Sequence, residues 1–143
     1  IKNSAIDYNN NKTIELKKTE DSFASAANYL KTIGWKKNQP CYYKIELKNN
    51  IPEKYLNSSA RNIKNKKKLI FFKKFIKNSE NININDNLMS AIIIPDKDII
   101  PGAETLSPAY IIFDNYEKIL NWNRSLRFAL AVCTLKENFK NEI

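Results

Sequence analysis

Histidine is absent from this chain, which excludes Ser-His and Cys-His catalysis and any histidine-ligated metal centre. Cysteine is scarce: Cys41 and Cys133 stand far apart, without the C-x-x-C spacing of a zinc ribbon or redox site. Cys133 falls on the apolar face of a helix and reads as a small core residue. Cys41 opens a strand, and a disulfide between the two is the other reading. No apolar run approaches the roughly 20 residues that a bilayer span needs, and no signal-peptide pattern is visible. Glycine is nearly missing as well, at 2 residues against many Lys, Asn and Ile. That bias has the look of an AT-rich genome, so part of the net charge of +9 is drift toward lysine. The charge alone is therefore a weak pointer to nucleic acid or an anionic membrane.

What is present suffices for a folded domain. A chain of 143 residues with 43% apolar and 11% aromatic side chains can build a core, burying roughly two-thirds of its unfolded surface. The polar stretch Ile1–Thr19 reads as loop. A helix is predicted over Glu20–Ile33, with Thr19 as N-cap, Glu20 and Asp21 in the first turn and Gly34 just past its end. Phe23, Ala26, Ala27, Leu30 and Ile33 make its apolar stripe.

Period-two alternation over Cys41–Lys48 predicts a half-buried strand, with Cys41, Tyr43, Ile45 and Leu47 on one face. A basic helix is expected near Asn65–Asn78, turning Leu69, Phe72, Phe75 and Ile76 inward. Asn-rich Ser79–Asn87 reads as a turn. Leu88–Ile94 and Ala109–Phe113 read as buried strands bounded by Pro95 and Pro108. The last helix is predicted over Ser125–Phe139, burying Leu126, Leu130, Val132, Cys133, Leu135 and Phe139. The class is α+β, a small antiparallel sheet flanked by helices. Three parts are expected, at 1–38, 39–113 and 114–143.

Between the last strand and the last helix lies a segment read as a turn, crowded with Asn115, Tyr116, Trp122, Asn123 and Arg124. Flat aromatic faces beside amide groups suit a sugar, since the ring stacks while hydroxyls find donors and acceptors. Each residue also has a plainer reading: the tyrosines as amphipathic interface residues, Asn123 as a helix N-cap, Arg124 as a contact near a helix start.

Two blocks, Ala24–Leu30 with Ile33–Trp35 (ASAANYL…IGW) and Asp114–Val132 (DNYEKILNWNRSLRFALAV), resemble the C-terminal half of the B-type lytic murein transglycosylases. The resemblance covers most of the chain, with a Lys/Asn-rich, unspecific centre. It implies a lysozyme-like fold and the cleavage of peptidoglycan between MurNAc and GlcNAc, leaving anhydromuramoyl ends. It also implies a glycan cleft lined by Tyr29, Asn115, Tyr116, Trp122, Asn123 and Arg124. The family's catalytic glutamate is expected upstream of Ile1, so this chain reads as a C-terminal fragment, inactive alone.

The resemblance implies an EF-hand-like loop too, with Asp7, Asn9, Asn11, Thr13 (through its carbonyl) and Asp21 as ligands of a weakly held Ca2+; no cofactor is required. Against it, Lys12 occupies the place of the usual glycine and Lys18 the standard closing position, so an Asn-rich turn without metal is the equal alternative. The expected partner is the peptidoglycan glycan strand. Nucleic acid is not expected, and a membrane only through an N-terminal anchor. The expected state is a monomer, and the location periplasmic, with or without an outer-membrane anchor. A non-catalytic peptidoglycan-binding or scaffold module is the alternative function.

Overall fold

The computed structural model describes residues 19–97 and 106–138. The chain divides into two compact units, one of Ile1–Gln39 with Thr134–Ile143 and a larger one of Pro40–Cys133. The expected division at 113/114 does not coincide with a unit boundary, since 114–133 fall in the larger unit.

In the smaller unit, helix α1 runs Thr19–Thr32. It ends as the sequence requires. Gly34 takes a positive φ of 94°, its N–H donates to the Lys31 carbonyl, and the Trp35 N–H reaches back to that of Leu30 at 2.9 Å. These two bonds close the last turn on carbonyls that would otherwise lack partners. The Lys136 ammonium lies 6.0 Å from the centre of the Trp35 ring.

The larger unit is built on a six-stranded sheet: β1 Tyr42–Leu47, β2 Leu56–Asn57, β3 Lys67–Lys68, β4 Ile76–Lys77, β5 Met89–Ile93 and β6 Ala109–Ile112. Its order is β2-β5-β6-β1-β4, with β3 also pairing β5. All pairs are antiparallel except β2 with β5, so the expected antiparallel sheet is in fact mixed. Register fixes the two faces, because cross-strand partners share a side. Ile92 opposes Ile111, and Ile45 opposes Ala109. These pack with Leu47, Leu69, Phe72, Phe75 and Ile76 into one buried cluster. The other face carries Ala91, Ile93 and Ile112, all at most 1% exposed, beside the half-buried Tyr42 and Tyr110. Two covered faces explain why β5 and β6 read as continuous apolar runs. Each fully buried isoleucine contributes about 1.5–3 kcal/mol by leaving water.

The expected basic helix over Asn65–Asn78 is replaced by a single short helix, α2 Leu69–Lys73. Strand pairing takes its two ends: Lys67 and Lys68 bond to β5, and Ile76 and Lys77 to β1. Asn65 and Asn78 adopt left-handed φ values of 59° and 54°, which no α-helix accommodates. The inward residues are nevertheless as expected, with Leu69, Phe72, Phe75 and Ile76 buried.

Two helices follow the sheet, α3 Asp114–Trp122 and α4 Leu126–Asn138. The segment read as a turn is thus a nine-residue helix. Its buried Tyr116, Ile119 and Leu120 stand at i, i+3, i+4, and Asp114 and Glu117 place negative charge in its first turn. In α4, Leu126, Ala129 and Cys133 are buried, Leu130 and Val132 half-buried, and Leu135 is 39% exposed, against its expected burial. Phe139 lies outside the described residues. Cys133 is bonded to Cys41 with the two Cα atoms 6.0 Å apart. No described helix is long and apolar enough to cross a membrane.

Candidate functional site

The corner joining α3 to α4 is held from inside and open outside. At its inner side the Tyr116 hydroxyl donates to the Leu126 carbonyl at 2.7 Å, tying one helix to the first turn of the next. At the corner itself the Asn123 N–H closes α3 onto the Ile119 carbonyl at 2.9 Å, and the Asn123 carbonyl accepts from the Ser125 N–H at 2.8 Å. Ser125 then caps α4, its Oγ accepting from the Phe128 N–H at 3.2 Å. These bonds fix the backbone of the short link at Asn123 and Ser125.

Those side chains form an aromatic corner. The Trp122 and Phe128 rings meet edge to face, 5.4 Å between centres and 84° between planes. Both are half-buried, and Asn123 and Arg124 beside them are exposed. A half-buried indole offers a fixed apolar face, and an amide with a guanidinium supplies donors and one acceptor at its rim. Such a surface takes a flat, hydroxylated ring carrying acidic substituents.

The expected site residues separate accordingly. Trp122, Asn123 and Arg124 come together at the outer side of the corner. Asn115 and Tyr116 do not join them: both are 0% exposed, so neither is open to a ligand in this structure and the expected stacking role of the Tyr116 ring is corrected. Asn123 caps the end of α3, and the N-cap of α4 is Ser125. Tyr29 is half-buried on α1 in the smaller unit. Phe128 was not anticipated; the signal was its place six residues after Trp122, across a helix start. Of the expected metal ligands, Asp7, Asn9, Asn11 and Thr13 lie outside the described residues, as does the side chain of Asp21. Among the described residues no cluster of three acidic or cysteine side chains could hold a metal ion.

Each of the two helices carries an ion pair. Lys66 meets Glu117 at 2.8 Å, and Arg127 meets Asp96. Burial, then the neighbouring Tyr42 and Asp96, raise the pKa of Tyr110. Tyr116 is raised further by burial, then by Tyr110 and Tyr42. Both remain neutral phenols at physiological pH. Among the glutamates whose side chains are described, Glu46 and Glu80 face solvent, while Glu53, Glu117 and Glu137 meet lysines.

Residues 1–137 match the family described as "Transglycosylase SLT domain". No curated protein matches the chain. Among solved structures, SltB3 of Pseudomonas aeruginosa in complex with NAG-anhNAM-pentapeptide is similar at a TM-score of 0.68 and 24% identity, over 97% of this chain and 35% of that one. SltB1 of the same organism gives 0.64 and 18%, over 98% and 43%. The Escherichia coli lytic transglycosylase Slt35 in complex with bulgecin A gives 0.64 and 19%, over 95% and 39%; Slt35 has also been solved with calcium. At these identities the likeness establishes a common fold. The chain spans between 35% and 43% of the length of these structures.

Proposed function

Since the chain belongs to the transglycosylase SLT domain family, we propose that it is the C-terminal portion of a peptidoglycan lytic transglycosylase and forms part of the wall of its glycan cleft. The observation that carries this reading is the Trp122–Phe128 pair flanked by exposed Asn123 and Arg124. One sugar ring of the strand stacks on the aromatic corner. Asn123 bonds its hydroxyls or acetamido group, and Arg124 meets a carboxylate of the muramoyl peptide. Tyr29 is proposed as a further wall residue.

The reaction cleaves the MurNAc–GlcNAc bond. An acid protonates the glycosidic oxygen as positive charge develops on the muramoyl ring, and the same group, now a base, takes the proton of the muramoyl hydroxyl that attacks, leaving an anhydro end. The acid is proposed to be a glutamate upstream of Ile1, consistent with the paired or exposed glutamates among the described residues. Ca2+ is proposed as a weak structural ion at Asp7, Asn9, Asn11, Thr13 and Asp21, supported by the calcium complex of Slt35. A periplasmic location is supported by the Cys41–Cys133 bond, which persists in oxidising compartments.

The test incubates purified peptidoglycan with this chain and with the product of its gene extended upstream, and identifies released muropeptides by mass spectrometry. Anhydromuramoyl products from the extended form alone support the reading. Binding without products from either form, both folded, supports instead a non-catalytic wall-binding module.

A further inference from the structure

The excess positive charge is unevenly placed. From Lys54 to Ser79 the chain carries nine lysine or arginine residues and no aspartate or glutamate. A drift toward lysine raises lysine everywhere, but does not by itself clear acids from one stretch. The fold gathers much of this segment around α2. With Leu69 and Phe72 turned inward, helical geometry turns Ile70 and Lys74 outward, while Phe71 lies half-buried against the core. Lys74 stands 4.3 Å from the centre of the Phe71 ring and Lys67 stands 5.6 Å from it. Phe71 in turn meets Tyr55 edge to face at 5.3 Å, with Lys54 over the Tyr55 ring at 5.2 Å.

On the other flank Lys68 is the cross-strand partner of Met89, and the Ile70 N–H bonds the carbonyl of Asp86. Three large apolar side chains stand out as exposed among the described residues, and two are here: Ile70 at 54% and Met89 at 52%. Of the acids near this segment, Asp86 pairs Lys73, Glu117 pairs Lys66, Glu53 pairs Lys97 and Glu80 is exposed.

We propose that this face seats the protein on an anionic phospholipid bilayer, with Ile70 and Met89 entering the headgroup–acyl boundary and Lys67, Lys68 and Lys74 meeting lipid phosphates. Lysines around protruding aliphatic side chains are the composition of a peripheral membrane contact, in which apolar insertion and charge attraction add. A soluble polyanion needs only the charge. A single-stranded nucleic acid needs open aromatic faces, whereas Phe75 is 8% exposed and Phe71 is crowned by two lysines. The contact is independent of the glycan reading and is made by the chain's own surface, without an N-terminal anchor.

The experiment is flotation of the full 143-residue chain with phosphatidylcholine vesicles, with and without 30 mol% phosphatidylglycerol, at low and at high salt. Association with the anionic vesicles only, weakened by salt, is expected. Ile70→Ser with Met89→Ser should lower partitioning roughly tenfold, and each of Lys67→Gln, Lys68→Gln and Lys74→Gln about fivefold. All replace surface side chains, so unchanged circular dichroism is the control for folding. No association with anionic vesicles overturns the proposal, as does equal association with neutral ones. An Ile70→Ser/Met89→Ser protein that floats undiminished, while inorganic polyphosphate competes fully, overturns it in favour of a plain polyanion site.

Discussion

The Tyr116 hydroxyl and the Leu126 carbonyl, 2.7 Å apart and out of contact with water, tie α3 to the first turn of α4. Tyr116→Phe leaves that carbonyl without its donor and should cost about 1–3 kcal/mol in urea denaturation. The bond also carries a pH dependence. Burial raises the Tyr116 pKa, so the folded state holds its proton where the unfolded chain, with an ordinary phenol near pH 10, releases it. This contribution is fully present below about pH 10 and is lost as pH rises beyond it. Unfolding midpoints from pH 8 to 11 should fall more steeply above pH 10 for the wild type than for Tyr116→Phe; parallel curves would remove Tyr116 as the source.

Replacing Trp122 or Phe128 with alanine takes away one ring of the edge-to-face pair and part of the stacking face. Binding to insoluble peptidoglycan, measured by sedimentation, should weaken by roughly tenfold for Trp122→Ala, an aromatic contact being worth about 0.5–1.5 kcal/mol beyond its buried area. Asn115→Ala is the contrast, since its buried amide should move stability and leave the affinity of the folded fraction unchanged.

Reduction of the Cys41–Cys133 bond releases a loop closed across a sequence separation of 92. The protein should lose about 2–5 kcal/mol of stability. Thermal melts with and without reductant, repeated on Cys41→Ser/Cys133→Ser, should give a lower and reductant-independent Tm for the double variant.

Asn38, Asn65 and Asn78 adopt left-handed conformations with φ of 67°, 59° and 54°. Alanine keeps the Cβ that crowds the following carbonyl but lacks the local bonding an asparagine side chain offers, at about 1–2 kcal/mol per site. Glycine at the same positions should be tolerated within a few tenths. Urea midpoints of the six single variants distinguish a backbone requirement from a side-chain one.

The pattern of apolar residues carried most of the fold. Strands β1, β5 and β6, the C-terminal glycine of α1, the span of α4 and the buried side of 69–76 were all legible, because period and proline placement act locally. What failed depended on partners distant in sequence. The α2 region looks helical alone, but β5 and β1 claim its ends. Asn57, an unremarked polar residue, is buried and clamps a loop to the sheet, donating to the Lys64 and Ile92 carbonyls and accepting from the Lys64 N–H. At the α3–α4 corner, composition did not tell the inner side from the outer one. Tyr116 and Trp122 look alike as letters, and only their positions on α3 separate a core phenol from a surface indole.

The disulfide has one further meaning. The larger unit begins at Pro40 and ends at Cys133, and the bond holds the Cα atoms of Cys41, its second residue, and Cys133, its last, 6.0 Å apart. The chain therefore goes into and comes out of this lobe at what is nearly a single point. A host polypeptide has to offer only two neighbouring ends to carry it, about the span of a tight turn.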